Sequence, residues 1–140
     1  MKNFLETNIY EFCGTILLCG SCLPDVQPIG FRELYNQASE CYCICLERDH
    51  INMVISKLIA VLGNKYVNEI IFATVDKSPY CIQMHYITHE IERILPNHIP
   101  MKNYVVVNNK LIQISSKTIA LSKFLSKLEM GDDLPLFLKD

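Results

Sequence analysis

Seven cysteines stand in a chain of 140 residues, and two of them, Cys19 and Cys22, close the apolar segment LLCGSCLPD with two residues between them. That spacing lets two thiolates hold one metal ion from a single turn, or lets one thiol attack a disulfide while the other resolves it. It equally suits two buried neighbours, since free cysteine is among the most buried residue types. An odd number of cysteines excludes complete pairing within the chain.

Composition narrows the setting in which these thiols work. Half of the residues are apolar, enough for one core without disulfides, and a fifth are charged, with a net charge of −2. No run of Lys or Arg tracks a phosphate backbone, so nucleic acid is not the expected partner. No apolar stretch reaches the roughly 18–20 residues that cross a bilayer. The N-terminus MKNFLETNIYEF lacks the apolar centre of a signal peptide, so a cytoplasmic location with reduced thiols is expected.

The elements that must position the cysteines can be read from periodicity. TILLC, from position 15, suits a strand buried on both faces, and Phe31, Leu34, Tyr35 and Ala38 suggest a short amphipathic helix over 30–40. CYCICL, 41–46, alternates as a strand does, with Cys41, Cys43 and Cys45 on one face. Asp49 is placed to cap a helix whose stripe is Ile51, Val54, Ile55, Leu58 and Leu62, stopped at Gly63. A third strand is expected over 68–75, then a helix with Ser78 as N-cap and Pro79 in its first turn, running to about Leu95 on a stripe of Met84, Ile87, Ile91 and Ile94. NYVVV, the turn Asn108-Asn109 and KLIQIS form a strand or hairpin before a closing helix over 116–130.

Strands alternating with helices predict a single α/β domain over 1–130: a three-layer sandwich with a mainly parallel central sheet, flavodoxin-like or Rossmann-like, ending in a hairpin and helix. Residues 131–140, GDDLPLFLKD, are expected to be a tail.

Ligands of an open parallel sheet gather at the carboxyl ends of its strands. Cys19 and Cys22 follow the first buried strand, Cys45 closes the second, and Cys81 opens the helix after the third, so four cysteines are expected at one edge. Four thiolates suit zinc or an iron-sulfur cluster equally. A helix start near Pro79 would also make Cys81 the readiest of the seven to ionise. Cys13, Cys41 and Cys43 read as small buried thiols, and His85 and His89 as residues toward the solvent side of their helix. Asp76 reads as a turn cap.

GxGxxG, the P-loop, HExxH and GxSxG are all absent, as is the bacterial ferredoxin run CxxCxxCxxxCP, so an enzyme with its own substrate pocket has little support.

The stretches LLCGSC, CICLERDHINM and TVDKSPYCIQMHY give the chain a resemblance, over positions 15–90, to the iron-sulfur delta subunit family of methyl-viologen-reducing hydrogenases. In that family one strand ends in closely spaced cysteines, a second in a cysteine followed by Arg and Asp, and a third in a loop with Cys-His-Tyr. The resemblance implies Cys19, Cys22, Cys45 and Cys81 as cluster ligands, a [2Fe-2S] or [4Fe-4S] centre, and docking to a redox protein partner or complex. This chain departs from the pattern by lacking a further Cys in the third loop and by setting three residues between Cys81 and His85-Tyr86.

The leading expectation is therefore an iron-sulfur electron-transfer or accessory subunit, non-catalytic in itself. The alternatives are a thiol-disulfide module using Cys19 and Cys22, or a structural zinc site in an interaction module. Against the thiol-disulfide alternative, Pro24 and Pro28 interrupt the helix that such a motif normally opens.

Overall fold

A computed structural model describes residues 1–95 and 98–130 of the chain. In order these form β1 (Lys2–Asn3), β2 (Gly14–Gly20), α1 (Leu23–Val26), α2 (Pro28–Tyr35), β3 (Glu40–Ile44), α3 (Ile51–Leu62), β4 (Val67–Val75), α4 (Ile82–Ile94), β5 (Met101–Val107), β6 (Lys110–Ile114), α5 (Ser116–Ser122) and α6 (Leu125–Met130). The six strands make one sheet in the order β1-β3-β2-β4-β5-β6, parallel throughout except for β6, which runs antiparallel to β5.

The centre of the sheet is where the sequence is most continuously apolar. Ile16, Leu17, Leu18 and Cys19 of β2 are all buried, as are Ile70, Ile71, Phe72 and Ala73 of β4, because helices cover both faces of these strands. On one face Val54, Leu58 and Val61 of α3 and Met84, Ile87 and Ile91 of α4 pack with Ile16, Leu18, Tyr42 and Phe72. On the other, Leu23 of α1 and Leu34 of α2 pack with Leu17, Cys19, Ala73 and Val106. The expected three-layer α/β sandwich with a mainly parallel sheet is thus the architecture observed.

Two glycines set close approaches. Gly14 enters β2 at φ +73, where a Cβ would stand 2.5 Å from Ser39 Oγ. Gly30 lets α2 lie against β5, since a Cβ there would stand 2.4 Å from Val106 Cγ1. The Asn108-Asn109 turn has positive φ at both residues, the geometry of a tight hairpin turn, and it joins β5 to β6 as expected.

The differences from expectation lie at element ends. Strand β3 stops at Ile44, so Cys45 falls in the loop. Asp49 does not cap α3: His50 takes that position without a side-chain bond, and the Asp49 carboxylate accepts from the Cys45 amide at 3.1 Å and from Arg48 at 3.2 Å. The buried residues of α3 are Val54, Leu58 and Val61, while Ile51 is exposed. Helix α4 starts at Ile82; Ser78 Oγ accepts the Cys81 amide at 3.2 Å and so completes the turn ahead of the helix. Ile94, assigned to the core stripe, is 61% exposed at the helix end. The closing helix is broken into α5 and α6. The tail expected over 131–140 lies outside the described residues. No described helix is long and apolar enough to cross a membrane.

Candidate functional site

Between β2 and β4 the chain changes direction across the sheet: from β2 it moves to β3 on one side, and after α3 it returns to β4 on the other. The α1–α2 segment and helix α3 pack on opposite faces, the arrangement that in open α/β sheets sets a crevice at the carboxyl ends of the strands. Cys22 and Cys81 sit there.

Cys22 is the residue ahead of α1, fixed by the Asp25 and Val26 amides donating to its carbonyl at 3.1 and 3.0 Å. Cys81 is the residue ahead of α4. Neither thiol caps its helix. A Cβ placed on Gly20 would stand 3.2 Å from Cys81 Sγ and 4.0 Å from Cys22 Sγ, so both sulfurs lean over the same glycine at the end of β2. Burial, and then the neighbouring Cys81 sulfur, push the Cys22 thiol above the ordinary 9.0. Cys45 flanks the pair: the Ser21 amide donates to the Ile44 carbonyl at 3.0 Å, tying the two strand ends together, and the Cys45 charge adds to the upward push on Cys22. Cys22 is exposed, while Cys45 and Cys81 are half-buried.

Cys19 is held apart from these three. Its side chain lies in the core under α1 and α2, fully buried, donating to Met1 Sδ at 3.2 Å and standing 4.0 Å from Cys41 Sγ. The hydrogen bond with Cys41, with burial added, pushes the Cys19 thiol far up, and the same bond holds Cys41 below its ordinary value. The physical reason is strand alternation: Cys19 and Gly20 are successive residues of β2 and face opposite layers. The structure thus places Cys22 and Cys81 over Gly20, sets Cys45 just past the neighbouring strand end, and turns Cys19 inward.

A four-thiolate centre needs its sulfurs around one ion at about 2.3 Å. With Cys19 bonded in the core to Met1 and Cys41, these four residues do not fit such a group. Among the described residues, no three histidine, cysteine or carboxylate side chains stand where they could hold a metal ion. A Cys19–Cys22 exchange pair does not fit either, since Cys19 lies below the surface on β2 and α1 begins only after Cys22.

Beside Cys81 a cleft of about 430 Å³ opens between α4, α5 and the ends of β4 and β5, lined among others by Asp76, Ser78, Ile82, His85 and Thr118. His85 is 3% exposed rather than solvent-facing. Its Nδ1 lies 2.8 Å from Asn103 Oδ1 and its Nε2 2.7 Å from Thr74 Oγ1. Asn103 offers only an acceptor there, so Nδ1 carries the proton and Nε2 accepts from Thr74. Burial lowers the His85 pKa, in keeping with a neutral ring. Thr88 Oγ1 also donates to Asn103 Oδ1, at 3.0 Å. His89 lies on the next turn, its Nδ1 3.0 Å from Lys123 Nζ. The network escaped the sequence reading because its acceptor, Asn103, sits in a strand remote in sequence; an amide beside an apolar run was the one available signal.

A family model described as Rossmann-like domain matches residues 14–132. The chain belongs to this family. No curated protein and no solved structure matches it. As a Rossmann-like domain it places its crevice where that architecture binds ligands, at the strand-order reversal. A dinucleotide, however, needs glycine amides facing its pyrophosphate at the head of the first helix. Here that turn is Gly20-Ser21-Cys22, the helix is four residues long, and two sulfurs crowd the glycine. The residues present do not fit a pyrophosphate.

Proposed function

We propose that this Rossmann-like domain is a thiol-disulfide redox module whose working pair is Cys22 and Cys81. One observation carries the proposal: both sulfurs lie within 4.0 Å of the same point above Gly20, at the strand-order reversal. Cys22, the exposed member, attacks as thiolate on one sulfur of a partner disulfide, forming a mixed disulfide and releasing the partner's other sulfur as a thiol. The Cys81 thiolate then attacks Cys22 Sγ and releases the second partner thiol. The two protein thiols become one disulfide, the partner disulfide becomes two thiols, and the two protons pass from the protein thiols to the departing sulfurs. The cleft beside Cys81 offers room for the unreacting part of the partner.

The test is exchange with glutathione disulfide. The native chain should release two glutathione thiols with no glutathione retained, whereas Cys81→Ser should stop at a stable mixed disulfide on Cys22. A mixed disulfide that accumulates equally in the native chain removes Cys81 from the resolving role.

The iron-sulfur role implied by the hydrogenase delta-subunit resemblance stands as a second reading, supported by Cys45 flanking Cys22. It needs Cys22, Cys45 and Cys81 to draw closer than they stand here and Cys19 to turn out of the core, zinc being the colourless variant of the same site. Metal and acid-labile sulfide content of protein purified without oxygen decides it: iron with matching sulfide supports this reading, and metal-free protein that retains glutathione exchange supports the dithiol.

A further inference from the structure

The sulfurs that Cys19 turns toward form a site of their own. Met1 Sδ, Cys19 Sγ and Cys41 Sγ make a triangle with sides of 3.2, 3.3 and 4.0 Å. Three sulfurs bound at about 2.3 Å to a single trigonal ion stand about 4 Å apart, so the set needs an opening of less than about 1 Å to take one. We propose that Met1, Cys19 and Cys41 form a binding site for a soft monovalent metal ion, Cu(I).

The donor chemistry selects the ion. Two thiolates and a thioether with no nitrogen or oxygen ligand suit Cu(I); zinc prefers four ligands and draws them from thiolate, imidazole and carboxylate. The surroundings are apolar on the inner side, where Leu17, Leu23 and Leu34 pack around Cys19, which suits an ion of low charge. An entry path exists on the outer side, where a cleft of about 280 Å³ is lined by Met1, Lys2, Tyr35, Glu40, Cys41 and Tyr42. Binding releases the protons of the two thiols and leaves one net negative charge on the bound set, with Lys2 at the mouth of the cleft. The register explains how the two thiols meet: Leu17 pairs with Cys41 and Cys19 with Cys43, so Cys19 and Cys41 are diagonal neighbours on one face of adjacent strands.

The test is an anaerobic titration of the reduced full chain with Cu(I) against a competing chromophoric chelator, followed by X-ray absorption at the copper edge on protein carrying selenomethionine. The expected result is one tightly bound ion per chain, a first shell of sulfur with one selenium, and a loss of affinity of about a hundredfold or more in Cys41→Ser but not in Cys22→Ser. A copper shell without selenium overturns the triad, as does affinity unchanged in Cys41→Ser or lost equally in Cys22→Ser. The absorption measurement uses the unsubstituted cysteines, so it stands even if a variant at Cys19 fails to fold.

Discussion

Cys22 and Cys81 meet across Gly20, one from the turn after β2 and the other from the turn before α4, with Cys81 Sγ 3.2 Å from the place a side chain on that glycine would occupy. Residues far apart in sequence are joined here because β2 and β4 are adjacent parallel strands and both turns leave from their carboxyl ends. The crevice is a property of the sheet order; the sulfur chemistry is a property of the two residues placed at it.

Gly20→Ala tests that placement. The added methyl stands 3.2 Å from the Cys81 sulfur, which must give way slightly, and it occupies the space between the two sulfurs and the glycine. The expected result is slower disulfide formation between the two, with a stability cost of about 1 kcal/mol or less because the obstacle is one side-chain end. Non-reducing electrophoresis at timed intervals and denaturant unfolding measure the two effects. An unchanged rate of disulfide formation would contradict the geometry.

Reactivity at Cys22 should follow its raised pKa. The thiolate is the reacting form, so the midpoint of alkylation by iodoacetamide should fall above the ordinary thiol value of 9.0. In Cys81→Ser the neighbouring sulfur's contribution is removed and the profile should move to lower pH. Mass spectrometry of the Cys22 peptide gives both curves. A midpoint at or below 9.0 would contradict the direction of the shift.

His85 supplies a pH dependence of stability. Its folded-state pKa lies below the ordinary 6.5, so between the two values the unfolded chain binds a proton that the folded chain does not. Stability therefore falls as pH falls through this window and is insensitive to His85 above it. Urea unfolding from about pH 7 to pH 5 should show the slope, and His85→Gln should flatten it. His85→Leu leaves Thr74 and Asn103 without this partner and should cost about 2–4 kcal/mol at neutral pH.

Gly30→Ala drives a methyl to 2.4 Å from Val106 Cγ1, a clash between α2 and β5 that only a backbone shift or rotamer change can relieve. A loss of about 1–3 kcal/mol is expected, and Val106→Ala should recover part of it in the double variant. Additive losses in the double-mutant cycle would show that the two positions do not meet.

The sheet and its helices were legible because each strand carries a continuous or alternating apolar run and each long helix an apolar stripe. The layer assignment of single residues was less so. Cys22 and Cys81 reach one edge through strand order, with Cys45 just past the neighbouring strand end, but the expectation for Cys19 fails because sequence spacing does not reveal which face a residue near the end of a doubly buried strand takes. Apolar neighbours on both faces of β2 removed the alternation that would have told them apart. His85 was placed toward solvent for a related reason: a polar residue on a helix shoulder reads as exposed until its partners, Thr74 and Asn103, arrive from other strands. Asp49 was expected at a helix cap because Asp caps helices, whereas here the Cys45 amide at the loop start claims its carboxylate.

The most direct measurement of the central claim is peptide mapping of the chain after mild oxidation with glutathione disulfide, digested without reduction. A single linkage joining the Cys22 and Cys81 peptides is the predicted result. Linkage of Cys22 to Cys19, or no linkage of Cys22 within the chain, would contradict it.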